Sequence, residues 1–217
     1  MSRLSIVIPT RNRWDKLQAT LDTIPELSGV NIMIVCDGDE ETARKLREKG
    51  LRNLTSCYLP GHNGAVACRN YAIQRTRDNI LYATDDIKFR PRAIVDLIRI
   101  YKEKFPLEDG VLGIRQAEKH HFTGVGLVGT KFIDWYPNRL LFNPEYWHFA
   151  CQEIHWLAER VGKFVSTKEV FVFHNHPAHY PGAMDQTHKD ARIRKRQDMD
   201  LRDQRKRDGE IWGFHNE

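Results

Sequence analysis

Leu81-Tyr82-Ala83 runs directly into Thr84-Asp85-Asp86, so an apolar stretch read as a buried strand empties into two adjacent carboxylates. Carboxylate oxygens suit hard divalent cations such as Mg²⁺ or Mn²⁺, and a cation held there can face a diphosphate. Two other apolar runs end in comparable chemistry. Residues 4–8 lead into Pro9-Thr10-Arg11, and residues 31–36 lead into Asp37-Gly38-Asp39. Late in the chain, Val170-Phe171-Val172-Phe173 leads into His174-Asn175-His176. In an extended chain residues two apart project to one side, so both imidazoles could reach a single ligand. Standing alone, the Asp85-Asp86 ending reads better as a solvated turn. The recurrence of such endings points to a site.

Strands have to present these residues. Residues 4–8 form a short β-branched run stopped by proline, which predicts a first buried strand and then a loop. A helix is expected over residues 14–24, a second buried strand over 31–36, another helix, and a third strand over 54–59. Strands alternating with helical stretches predict an α/β fold. Its sheet should be largely parallel and covered on both faces, with ligand-contacting residues at the C-terminal ends of the strands.

The 217 residues suffice for one buried core with an appendage. One domain is expected over 1–179, with a nucleotide-binding half over 1–90 and an acceptor half over 110–179. A basic helix and tail should follow over 180–217. No stretch has the length of a membrane span and the chain enters a strand without an apolar leader, so a cytoplasmic protein is expected, in the host cytoplasm if the source is viral. Cys36, Cys57, Cys68 and Cys151 show no paired spacing, which argues against a zinc site or a disulfide framework.

The net charge of +5 is unevenly placed. Between residues 188 and 207 the chain is dominated by Lys189, Arg192, Arg194, Lys195, Arg196, Arg202, Arg205, Lys206 and Arg207. This segment would suit a polyanion such as a nucleic acid backbone. An ordinary exposed helix explains the segment as well, because Asp190 and Arg194, Asp198 and Arg202, and Asp203 and Arg207 stand four apart and can pair. The aromatics of Ile211-Trp212-Gly213-Phe214 are expected to pin the tail to the body.

In order along the chain, these residues resemble the GT-A nucleotide-sugar glycosyltransferases, in particular the family 2 type. Ser5-Ile6-Val7-Ile8-Pro9-Thr10-Arg11-Asn12-Arg13 is similar to that family's first strand and nucleotide loop. Residues 34–39 are similar to its second strand, and Asn63-Gly64-Ala65-Val66-Ala67-Cys68-Arg69-Asn70 to the helix near its diphosphate. Thr84-Asp85-Asp86 takes the place of its Asp-x-Asp metal motif, with Thr84 standing where the first acid is usual. The resemblance implies a nucleoside diphosphate sugar as donor, and Mn²⁺ or Mg²⁺ as cofactor. Pro9, Thr10, Arg11, Asp37, Asn63, Arg69, Thr84 and Asp85 would line the donor site. Asp37 would face the base, commonly uracil, and Arg11 and Arg69 the phosphates. Asp86 would bind the metal, completed by His174 or His176.

In the stretch Ala150-Cys151-Gln152-Glu153-Ile154-His155, where relatives carry an acidic pair, Glu153 is the remaining carboxylate. It is the nominee for the base that deprotonates the acceptor; its alternative role is charge compensation at a helix N-terminus. His155 either shares the acceptor pocket or is structural. Trp135, Tyr136, Phe142, Tyr146, Trp147 and Phe149 form a core or stack on an acceptor. The small size, basic tail and aromatic-rich second half are similar to bacteriophage-type enzymes that glycosylate hydroxymethylated pyrimidines in DNA. Two other classes remain open: a nucleotidyltransferase, although its glycine-rich phosphate loop is missing after residue 9, and a non-catalytic nucleic-acid-binding module on a degenerate GT-A fold.

Overall fold

The computed structural model describes residues 3–116, 124–177 and 180–214. Among these, eight strands form one sheet: β1 (Leu4–Thr10), β2 (Val30–Asp37), β3 (Leu54–Leu59), β4 (Asn79–Tyr82), β5 (Ile87–Phe89), β6 (Val111–Gln116), β7 (Gly126–Val128) and β8 (Phe164–His174). The helices are α1 (Trp14–Leu21), α2 (Glu40–Lys49), α3 (Gly64–Ile73), α4 (Ala93–Lys104), α5 (Thr130–Ile133), α6 (Cys151–Arg160) and α7 (Gln186–Arg207).

The strand order is β3-β2-β1-β4-β7-β6-β8-β5. The first four strands in that order are parallel, as the alternating pattern predicts. The other half is mixed. β7 runs antiparallel to both β4 and β6, β8 is parallel to β6, and β5 is antiparallel to β8. Strands of three residues, such as β5 and β7, are too short to reveal a period in the sequence.

Side-chain alternation divides the core between the two faces of the sheet. Ile6 and Ile8 pack with Leu17, Leu46 and Leu97 on one face. Val7 packs with Val66, Ile73, Phe132, Phe142 and Leu157 on the other. Tyr136, Phe142 and Tyr146 belong to this second core. Trp135 and Phe149 remain exposed. The thiols of all four cysteines are free.

The strand that empties into the carboxylates, β4, ends at Tyr82 as expected; it pairs with β1 and β7 and hands over to β5, which pairs with β8. Thr84, Asp85 and Asp86 therefore sit in a link between two separated positions in the sheet. In α7, Asp198 does not pair with Arg202. Its carboxylate accepts from the amides of Trp147, His148 and Phe149 at 2.9, 2.8 and 3.0 Å.

The expected boundary between residues 179 and 180 meets residues 178 and 179, which lie outside the described residues, as do residues 117–123 of the expected acceptor half. The tail is pinned as expected: Trp212 Nε1 donates to the Leu140 carbonyl at 2.6 Å, and Arg160 lies over the Phe214 ring. Among the described residues no helix is long and apolar enough to cross a membrane.

Candidate active site

A cavity of about 480 Å³ opens where β1, β2, β4, β6 and β8 end. Its lining includes Pro9, Thr10, Arg11, Asp37, Arg69, Thr84, Asp85, Asp86, His174, His176 and Lys195. Eleven of the residues singled out from sequence thus come together. Asn63, Glu153, Arg192, Arg194 and Arg196 are not in the lining.

The β1–α1 loop turns through Asn12, held in the left-handed region at φ 52°. Its amide donates to Asp39 Oδ2 at 2.6 Å, an arrangement that a short polar side chain tolerates. Next to it, Asp37 binds the entrance to α3. Oδ1 accepts from the Asn63 amide (2.7 Å) and its Nδ2 (3.0 Å), and Oδ2 accepts from the Gly64 amide at 3.0 Å. Gly64, at φ 86°, lies against Trp147 with no room for a Cβ, and a Cβ on Gly38 would overlap the Gly61 carbonyl. Arg11 Nη1 donates to the Asp37 carbonyl at 2.6 Å. This end of the cavity is fastened by backbone amides and carbonyls.

Asp85 and Asp86 are placed from both sides. Thr20 of α1 donates to the Asp85 and Ile87 carbonyls at 2.9 and 2.7 Å, fixing the link. Thr10 Oγ1 donates to Asp85 Oδ2 at 2.8 Å. From the other direction β8 pairs His174 with Ile87, and the Asn175 amide donates to the Asp86 carbonyl at 2.8 Å. His174 Nε2 then lies 3.1 Å from Asp86 Oδ1 and 3.4 Å from Thr84 Oγ1. His174 Nδ1 lies 2.7 Å from Gln116 Oε1. His176 is not in extended chain: its amide turns back to the His174 carbonyl, and its ring lies 5.0 Å from both the His174 and the His188 rings.

Sequence reasoning missed the cation between these groups. Arg13 Nη1 donates to Asp85 Oδ1 at 2.7 Å and lies 3.5 Å from Asp86 Oδ2. Its Nε and Nη2 donate to Asp185 at 2.9 and 3.0 Å, and His188 Nε2 is 3.4 Å from Asp86. Arg13 stood within the quoted first motif. Nothing local linked it to Asp185 or His188, about 170 residues later by the 172 and 175 positions that separate them.

These partners split the carboxylates' acidity. Burial raises the Asp85 carboxyl above the usual range, against the pull of Arg13 and the Thr10 hydrogen bond. Burial opposes ionisation of Asp86 too, but hydrogen bonds from His174 and His188 and the charge of Arg13 hold it well below that range. Also in the cavity lining, His148 is lowered to about 3 by burial, with help from Arg69 and His176, which keeps it neutral.

Arg69 is 3% exposed. It donates to the Ala83 carbonyl at 3.2 Å and approaches Cys151 Sγ at 3.7 Å, and its Nε has no hydrogen-bond partner among the described residues. A buried guanidinium with so few acceptors is a place for an anion.

Glu153, the nominated base, is placed elsewhere. It accepts from Tyr146 Oη at 2.6 Å, from Arg205 Nε at 2.9 Å and from the Trp212 amide at 2.7 Å. Its carboxylate fastens α6 to α7 and the tail. His155 is buried against Tyr82 Oη at 3.2 Å and borders a smaller cavity between α6 and α7.

Residues 5–160 match the family described as "Glycosyl transferase family 2". None of the curated proteins matches the chain. Among solved structures, TarS residues 1–349 from S. aureus is similar with a TM-score of 0.64 at 15% identity, covering 87% of this chain and 68% of that one. The same protein with UDP-GlcNAc gives 0.63 at 16%, covering 79% and 58%. A mannosyltransferase from Pyrobaculum calidifontis, PcManGT, in complex with GDP-Man and Mn²⁺, gives 0.64 at 12%, covering 80% and 56%. The chain thus spans between 56% and 68% of the length of these structures.

Proposed function

The chain belongs to glycosyl transferase family 2, and from that premise we propose that it moves a hexose from a nucleoside diphosphate sugar, with uridine as the base, to an acceptor hydroxyl. The observation that carries this reading is the buried, under-bonded Arg69 beside Asp85 and Asp86 in one cavity at the strand ends. A diphosphate would supply the missing acceptors. The sugar nucleotides named with TarS and PcManGT support the donor class.

Among the described residues no group of three His, Cys, Asp or Glu is arranged to hold a metal ion alone. Asp86 and His174 nevertheless fit a cation shared with a ligand, because Mn²⁺ or Mg²⁺ in such sites takes one or two protein donors and fills its shell with phosphate oxygens. When bound, the cation would offset the negative charge that develops on the leaving phosphate. Arg69 and Arg11 would bind the phosphates, Thr10 and Arg13 orient Asp85, and Asp37 shape the loop that receives the base.

Thermal unfolding with a panel of nucleoside diphosphates and triphosphates, with and without Mn²⁺, tests this. A ligand bound only by the folded state raises the midpoint. A metal-dependent rise with one diphosphate is the expected result and names the base. No rise with any of them removes the donor reading and favours the non-catalytic module, while a rise with triphosphates alone favours a nucleotidyltransferase.

For the acceptor, the reading is a hydroxymethylated pyrimidine in DNA. Arg192, Arg194, Lys195 and Arg196 are exposed on α7, Lys195 at the cavity itself. Arg194 and Lys195 lie over the Trp147 and Phe149 rings at 4.4 and 5.8 Å, which joins cations to stacking surfaces. Transfer to such DNA should fall steeply with salt; activity that ignores salt removes DNA as the acceptor.

A further inference from the structure

Gln116 ends β6 on the cavity wall and is 3% exposed. Its two polar atoms are used unequally. Oε1 lies 2.7 Å from His174 Nδ1, within hydrogen-bond reach. Nε2 is buried and has no hydrogen-bond partner among the described residues. The carboxamide occupies the space beside Gly124, where a Cβ would meet both Nε2 and Oε1 at 2.8 Å. A buried amide donor without an acceptor is costly, and an oxygen of a ligand in the cavity would satisfy it.

The order of the sheet indicates which part of the ligand that is. Asp37 and Thr10 close β2 and β1, in the parallel half. Asp85 and Asp86 follow β4. Gln116 closes β6, beyond the carboxylates on the side away from Asp37. A donor laid with its base by Asp37 and its phosphates by Asp85, Asp86 and Arg69 brings its sugar to Gln116.

We propose that Gln116 has two roles toward the donor. Through Oε1 it is a positioning residue that holds His174 Nδ1–H and thereby keeps Nε2 turned toward Asp86 and the cation. Through Nε2 it donates a hydrogen bond to a hydroxyl of the transferred sugar, and so discriminates a sugar nucleotide from the bare diphosphate. This rests on the donor reading above.

Two substitutions separate the roles. Gln116→Glu keeps an oxygen for His174 and loses the donor; Gln116→Met matches the length and loses both. The readouts are Mn²⁺ affinity in the presence of UDP and the affinity ratio of the tightest-binding UDP-hexose to UDP, each by titration calorimetry. Far-ultraviolet circular dichroism confirms that each variant is folded. We expect Gln116→Glu to keep Mn²⁺ affinity within about threefold and to lose roughly tenfold in the ratio, the scale of one hydrogen bond. Gln116→Met should lose both, with Mn²⁺ affinity down about 10- to 100-fold. An unchanged ratio in Gln116→Glu, or unchanged Mn²⁺ affinity in folded Gln116→Met, overturns the proposal. Failure of the wild-type protein to bind UDP with Mn²⁺ is a different result: it removes the donor reading itself.

Discussion

Asp86 and Glu153 are both buried carboxylates facing arginine, yet they belong to different kinds of region. Glu153 is saturated by the protein at short range, by a phenol, a guanidinium and an amide drawn from three parts of the chain. Asp86 has His174, His188 and Arg13 at 3.1, 3.4 and 3.5 Å and lines a cavity. Burial of a charge therefore does not mark a reactive group. What separates the two is whether the protein alone completes the carboxylate or leaves room for a ligand to do so.

The sharpest way to test this contrast is to neutralise each carboxylate. Asp86→Asn should lower kcat/KM about 10³-fold, the scale of losing a charge that acts in the transition state, while the folded protein persists. Glu153→Gln should do the reverse. Breaking a buried ion pair costs about 3–5 kcal/mol, so its thermal midpoint should fall by roughly 10 °C while kcat stays within about threefold. A Glu153→Gln protein of undiminished stability and collapsed turnover would break the comparison and restore Glu153 as the base.

Arg69→Met extends the contrast to a cation that the protein leaves unsatisfied. UDP affinity should fall about 10- to 100-fold, with little loss of stability because few bonds are given up. A large drop in midpoint without a change in affinity would make Arg69 structural.

His155 sharpens the comparison by pH. Burial lowers its imidazole from 6.5 to about 4. The unfolded chain therefore binds a proton that the folded chain refuses between those values, and stability falls as pH drops from 6.5 toward 4, by up to about 1.4 kcal/mol per unit. Denaturant titrations across that range should show a shallower acid limb in His155→Gln; an identical limb would mean that His155 does not carry it. The smallest effect belongs to α7. Removing Arg192 and Arg196 should reduce the slope of log affinity for DNA against log salt by about 1 per residue. A slope that does not move places any DNA elsewhere.

Most of the cavity lining at the strand ends was legible because it is local. Thr10, Asp37, Asp85 and His174 each follow an apolar run within a few residues, and a strand that enters a loop must present such residues at its C-terminal end. The contacts of Glu153 were not legible, because Arg205 and Trp212 lie 52 and 59 residues away. The acidic residues of α7 carried the same ambiguity. The i to i+4 spacing of Asp198 and Arg202 is real, but three amides of residues 147–149 compete successfully for the Asp198 carboxylate.

The sequence by itself determined the α/β fold, the strand ends that line the cavity and the family to which the chain belongs, since each depends on residues close together in the chain. Tertiary structure alone decided that β4 and β5 lie at separated positions in the sheet, that Arg13 joins Asp85 to Asp185, that Gln116 lies against His174, and that Glu153 holds the tail. Those outcomes are set by which strands pair and where α7 packs, and a buried charge or amide takes whatever partner that packing brings within hydrogen-bond reach.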